Sequence, residues 1–154
     1  MALRPNERAT IQRRGNEIQV STDALSFYAM DLRLVPDAST LLNVAVTDGA
    51  SPATARQYAG ALALAVDASS TLRVVNQLPL EDYVAAVVAR EYGFDDLEGA
   101  KAMAVLARTH ALRRLGTEAA DNKAETAFDE VDSELAQKYD GASRLTPSAL
   151  EATR

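Results

Sequence analysis

The chain has 154 residues, 47% of them hydrophobic and 25% charged, with a formal net charge of −6. That length suits one globular domain with a real core, and the negative balance argues against a general nucleic-acid binder, which needs a basic face. The absence of Cys excludes disulfides and thiolate metal sites, and a single His excludes a multi-histidine metal site.

The chain opens on Met1–Gly15, which is polar and Arg-rich and lacks the apolar stretch of a secretory signal. No later run reaches the roughly 18 apolar residues of a membrane span. Residues 9–20 predict a hairpin, with Ile11–Arg13 and Glu17–Val20 flanking the turn-favouring pair Gly15-Asn16. Ser26–Pro36 reads as a second strand region, from the partial alternation of Phe27, Met30, Leu32 and Leu34. Leu41–Thr47 reads as a third, closed by Asp48-Gly49. After a loop at Ser51-Pro52, Arg56–Asp67 alternates Tyr58, Gly60, Leu62, Leu64 and Val66 with small residues. Its alanines make helix the rival reading. A strand is preferred, because Asp67-Ala68-Ser69-Ser70 then turns the chain into Thr71–Asn76.

Two helical patterns follow. Leu80, Tyr83, Val84, Val87 and Val88 fall at i, i+3, i+4, i+7 and i+8, one face of a helix. Pro79 suits its first turn and Gly93 its stop. The next member of the series is Glu91, so a carboxylate lands on the apolar stripe at the last turn. A helix C-terminus repels negative charge, and apolar surroundings favour the neutral form of an acid. An acid held neutral near pH 7 is what general acid catalysis requires. The second pattern runs from about Leu97 to Leu115, capped by Asp95 or Asp96. Its stripe of Leu97, Lys101, Ala104, Arg108 and Leu112 places two cations on an inward face, and Ala100, Ala104 and Ala107 allow close approach. From spacing alone two readings of Glu91 stand: a neutral acid, or an ion-pair partner of Lys101 or Arg108.

Gly116–Glu125 reads as an exposed polar loop and Phe128–Val131 as a short strand. Thr146-Pro147 is a helix-start signature. Strands first and helices after predict an α+β fold rather than βαβ units. His110 reads as a packed helix residue, and Asp95-Asp96 as caps rather than as the second carboxylate of a conventional glycosidase.

The stretch Leu78-Pro79-Leu80-Glu81-Asp82-Tyr83, then Val87-Val88-Ala89-Arg90-Glu91, then Lys101-Ala102-Met103-Ala104-Val105-Leu106-Ala107-Arg108-Thr109-His110, resembles the SpoIID/LytB family of peptidoglycan-active domains. The strand residues Arg56, Tyr58, Gly60, Leu62 and Leu64, followed by Leu72, Val74, Val75 and Asn76, are similar to that family's strands as well. The resemblance implies a single domain over 1–154. In it 1–55 is a loosely matched β region and 56–154 a matched core that stops short of the family's C-terminal part. It implies a lytic transglycosylase that cleaves peptidoglycan glycan strands with Glu91 as its one catalytic acid, or, alternatively, a non-catalytic peptidoglycan-binding module or amidase enhancer. Lys101, Arg108, Tyr92, Gln137 and Tyr139 are the implied substrate-binding residues. Gln137 and Tyr139 read equally well, by themselves, as a polar loop with one anchoring Tyr. No cofactor is implied. The places where many members carry zinc-holding Cys and His are filled here by Val131, Leu135 and Ala136, so no metal is expected. The implied setting is extracytoplasmic, with glycan strands and a cell-wall amidase as partners. The residues on both sides of Glu91 depart from the family: Arg90 stands where Ser is common, and Tyr92-Gly93-Phe94 where Met-Pro follows.

Overall fold

A computed structural model describes residues 7–37, 40–47, 54–94, 96–120 and 137–154. The architecture is α+β, with antiparallel strands first and helices after. The chain divides into two compact units, one of residues 1–35 and 61–77, the other of residues 36–60 and 78–154.

The first unit is all β. Strands β1 (Thr10–Arg14), β2 (Glu17–Ser21) and β3 (Ser26–Ala29) form one antiparallel sheet in that order. The predicted hairpin is present, and Gly15 supplies its turn at φ +63, a conformation that costs glycine little. The single strand region expected at Ser26–Pro36 is two strands. The chain leaves the first sheet at Met30 and continues as β4 (Asp31–Leu34) in a second sheet of order β4-β7-β8. The remaining strands of that sheet are β7 (Ala61–Val66) and β8 (Leu72–Gln77), paired Ala61↔Gln77 through Val66↔Leu72. Their turn is held by Asp67, whose carboxylate accepts from the Ser69 and Thr71 N–H groups at 2.9 Å and the Ser69 hydroxyl at 2.7 Å. These donors hold the Asp67 carboxyl below the usual carboxylate range, Ser69's hydroxyl first. Side chains alternate across a strand, so Ile18 and Val20 of β2 point inward together, and with Leu62 and Leu64 of β7 they make the core of this unit.

The second unit opens with a hairpin, β5 (Leu42–Val46) and β6 (Thr54–Tyr58), paired Leu42↔Tyr58 through Val46↔Thr54. The strand predicted over Arg56–Asp67 is therefore β6 and β7 in two different sheets, and the break falls at Ala59-Gly60, where Gly60 has φ +71. Helix α1 (Leu80–Glu91) follows Pro79, its N-cap in extended backbone, and is closed by Tyr92 as C-cap, with the expected stop Gly93 just beyond at φ +65. Helix α2 (Leu97–Ala120) runs five residues past the expected end at Leu115, so the loop predicted from Gly116 begins as helix. No Pro interrupts that stretch, and its Ala and Glu are good helix formers. Helix α3 (Pro147–Ala152) starts as its signature predicts: Thr146 accepts from the Ala149 N–H at 3.1 Å. The short strand expected at Phe128–Val131 lies outside the described residues.

Val84, Val87, Val88 and Ala89 of α1 meet Ala100, Ala104 and Ala107 of α2 and Ala149 of α3 in one buried cluster. The buried stripe of α2 is thus Ala100, Ala104, Ala107 and Ala111, and Lys101 faces solvent. The inward face expected to carry both cations is rotated by about one residue, because the alanines, not the larger Leu97 and Leu112, fit against the valines of α1. His110 is exposed rather than packed.

Candidate functional site

Every described residue of the candidate site lies in the second unit. Glu91 closes α1, three and four residues beyond Val88 and Val87, where the buried face of the helix runs out. The residue is exposed rather than enclosed by that face, and its Oε1 accepts the Lys138 backbone N–H at 2.8 Å.

Lys138 belongs to a segment, residues 137–143, fastened along α1 and β6. Tyr83 Oη and Gln137 Oε1 are hydrogen-bonded at 3.0 Å, and the rings of Tyr83 and Tyr139 stack with centroids 5.6 Å apart at 29°. Tyr58 of β6 tilts against Tyr139 at 6.3 Å. Asp140 takes three guanidinium groups: Arg90 Nε at 2.8 Å, Arg144 Nε at 2.9 Å and Arg56 Nη2 at 3.2 Å. Gly141 has φ +64, and a Cβ there would run into the Gln57 carbonyl oxygen. That oxygen accepts the Ala142 N–H at 2.6 Å, while the Gln57 N–H donates to Ser143 Oγ at 2.8 Å. Ring stacking, charge and backbone bonding therefore hold the segment that presents Lys138 to Glu91.

The sequence-predicted residues are only partly gathered. Gln137 and Tyr139 lie in this segment beside Glu91's partner. Tyr92 turns to the start of α2: its hydroxyl donates to Asp96 Oδ2 at 2.8 Å, its ring meets Phe94 edge-on at 5.3 Å, and Gly99 leaves it room, since a Cβ there would overlap the phenol oxygen. Asp96 is the cap expected of this region, accepting from the Gly99 N–H at 3.1 Å and the Glu98 N–H at 3.3 Å. The Tyr92 hydroxyl and then these donors hold Asp96 below the usual carboxylate range, and the same contact raises Tyr92. Asp95 lies outside the described residues.

Lys101 and Arg108 do not converge on Glu91. Lys101 Nζ pairs with Glu98 one turn earlier at 2.8 Å, which raises its pKa. Arg108 crosses to the first turn of α1 and forks onto Glu81, with Nε donating to Oε1 at 2.9 Å and Nη2 donating to Oε2. That fork is the first cause holding Glu81 below, and Arg108 above, its usual range. Both cations thus have carboxylate partners, and Glu81 of the opening motif is one of them.

A cleft of about 100 Å³ opens elsewhere in the unit, among Leu78, Asp82, Ala86, Tyr139, Leu145 and Leu150. Glu91 is not on its wall, although Tyr139 belongs to both places. Asp140 and Arg56 escaped the sequence reading as site residues. The signal for Asp140 was Tyr139-Asp140-Gly141, an acid before a turn glycine.

A family model described as SpoIID, stage II sporulation protein, matches residues 68–154. No curated protein and no solved structure matches the chain.

Proposed function

The chain belongs to the SpoIID family, tied to sporulation and the cell wall, and on that premise we propose that it cleaves peptidoglycan glycan strands as a lytic transglycosylase with Glu91 as its acid. The observation that carries this reading is the placement of Glu91: a solvent-reachable carboxylate at a helix end, with one oxygen fixed by the Lys138 N–H. Protonated, Glu91 gives its proton to the glycosidic oxygen as the C1–O bond breaks. As a carboxylate it then takes the proton of the sugar's own 6-hydroxyl, which attacks C1 and closes an anhydro ring. One carboxylate serves both steps, so the second acid of a conventional glycosidase is not needed. Tyr92, Lys101, Arg108, Gln137 and Tyr139 flank the strand in this proposal, and the setting is extracytoplasmic, where glycan strands lie. No described helix is long and apolar enough to cross a membrane.

The test is chemical. Glycan strands stripped of stem peptides are incubated with the protein and searched for anhydro-muramic products. Glu91→Gln, which keeps the side-chain shape, is expected to lower the rate by about 10²–10⁴-fold, the worth of general acid catalysis. Activity unchanged in Glu91→Gln would remove the role assigned to this residue.

Two observations favour a second reading, a non-catalytic wall-binding module or enhancer of an amidase. Lys101 and Arg108 are engaged by Glu98 and Glu81, and the cleft does not reach Glu91. Retention of the protein on sacculi with no released fragment would select it.

A further inference from the structure

We infer that Arg90 and Asp140 form a clasp that positions Glu91, by holding the Lys138 N–H against one oxygen of its carboxylate. Both are positioning residues, and neither is assigned a contact with the strand. The clasp bears on catalysis through Glu91 alone, so it rests on the glycan reading above and adds what aims the acid.

Two contacts join the last turn of α1 to the segment of residues 137–143, and they close a ring. Glu91 Oε1 accepts the Lys138 N–H at 2.8 Å. Arg90, the residue before Glu91, reaches Asp140, two residues beyond Lys138, with Nε 2.8 Å from Oδ2. One contact would let the segment pivot about it, whereas two fix its register along the helix. The Arg90 Nε atom is buried at this contact and is not aligned for a hydrogen bond, so the attraction is ionic. The two side chains are 34% and 17% exposed. Taking the charge from one partner of a shielded pair leaves the other uncompensated, and the contact opens. Arg56 of β6 reaches the other oxygen of Asp140, Oδ1, at 3.2 Å, so the same carboxylate also ties the segment to a strand.

The clasp decides which oxygen of the acid works. Glu91 is exposed, so packing does not fix its rotamer, and the Lys138 N–H does. With Oε1 accepting that N–H, the proton of the neutral acid sits on Oε2. A misplacement of about 1 Å in a reacting group costs about 10²-fold in rate. Arg90 stands where the resemblance has Ser, so the clasp belongs to this chain's departure from the family pattern.

The experiment reads the clasp in two ways. The Lys138 amide resonance, followed by NMR, reports the hydrogen bond to Glu91 whether or not substrate is turned over, and Glu91→Gln marks where it lies without a carboxylate partner. Asp140→Asn and Arg90→Gln are each expected to move the resonance toward that position. Each is also expected to lower kcat on peptide-free glycan strands by about 10²-fold, with KM unchanged because neither residue touches the strand. The double variant is expected to lose no more than either single variant, since both open one contact. Arg90→Lys keeps the charge and is expected to recover part of the loss. Arg144→Gln removes a cation that meets Asp140 from its own stretch of chain at i+4, and is expected to leave both readings near wild type. The Ala104 amide, in the seam between α1 and α2, checks that each variant is folded. A Lys138 resonance that stays in place in both single variants overturns the inference. So does a resonance that moves while kcat holds, a loss carried by KM instead of kcat, or an equal loss in Arg144→Gln. Wild-type protein that releases no anhydro products defeats the glycan reading instead, and the Lys138 resonance then judges the clasp alone.

Discussion

The two compact units bury different kinds of side chain. The sheet unit closes on Ile18, Val20, Leu62 and Leu64, large aliphatics brought together by strand alternation. The helical unit closes on three valines of α1 set against Ala100, Ala104, Ala107 and Ala149. Stacked sheets in general pack about 10 Å apart, a space that large residues fill. Small ones let helices come near the short end of the 8–10 Å interaxial range. The helical unit also carries every described candidate for chemistry, whereas the sheet unit carries none. Substitutions in the first unit therefore report on packing alone, and those in the second report on packing and on the site that packing positions.

The sharpest way to break the comparison is to empty the sheet core. Leu62→Ala is expected to cost about 2–5 kcal/mol, because Leu62 is only 2% exposed and the methyl groups leave a cavity behind. Urea unfolding of the variant measures this, and a loss under about 1 kcal/mol would mean that β7 can collapse onto the gap. The opposite change belongs in the helical unit. Ala104→Leu overfills the seam between α1 and α2 and is expected to cost about 1–3 kcal/mol. A neutral result there would show that the helices are not held at close approach.

How much of this was legible in the residues differs between the units for the same physical reason. The Gly15-Asn16 hairpin, the Asp67 turn and the Thr146 cap were readable, because each depends on a side chain or a left-handed φ used locally. The break at Ala59-Gly60 was not, since Tyr58, Gly60 and Leu62 continue the alternation while the chain changes sheet; at Met30 the inward face slips by one residue, from Phe27 and Ala29 to Leu32 and Leu34, a shift that partial alternation blurred. Gly60 at φ +71 was the available signal. On α2 the period was right and the face was off by a residue. Leu97 and Leu112 outweigh alanine in any hydrophobic count, yet the valines of α1 leave room only for Ala100, Ala104 and Ala107. Lys101 and Arg108 were displaced from the expected inward face by that same choice. Glu91 was correctly placed at the helix end, but periodicity alone does not tell where a neighbour stops covering a face. In the Asp140 cluster only Arg144 is local, at i+4; Arg90 and Arg56 come from α1 and β6, far away in the chain, and no local pattern links them to Asp140.

The smallest expected effect separates a structural ion pair from a substrate-binding cation. Glu81 and Arg108 pair across α1 and α2 with side chains 48% and 30% exposed. Exposed pairs typically contribute about 0.2–1 kcal/mol, and bidentate geometry places this one toward the upper end. The Glu81 carboxyl is held below its ordinary value, chiefly by the Arg108 guanidinium. A group depressed in the folded state contributes its stability above its unfolded pKa and loses it as pH falls through the folded value. Glu81→Gln is therefore expected to be slightly less stable than wild type at neutral pH, with the difference shrinking to nothing on acidification below the usual carboxylate range. Raised salt should shrink it too. Unfolding curves of both proteins across that pH range measure the gap. A gap that persists in acid would assign the cost of Glu81→Gln to packing at the start of α1, and Arg108 would then lack the ionic tether that keeps it turned toward Glu81 and away from Glu91.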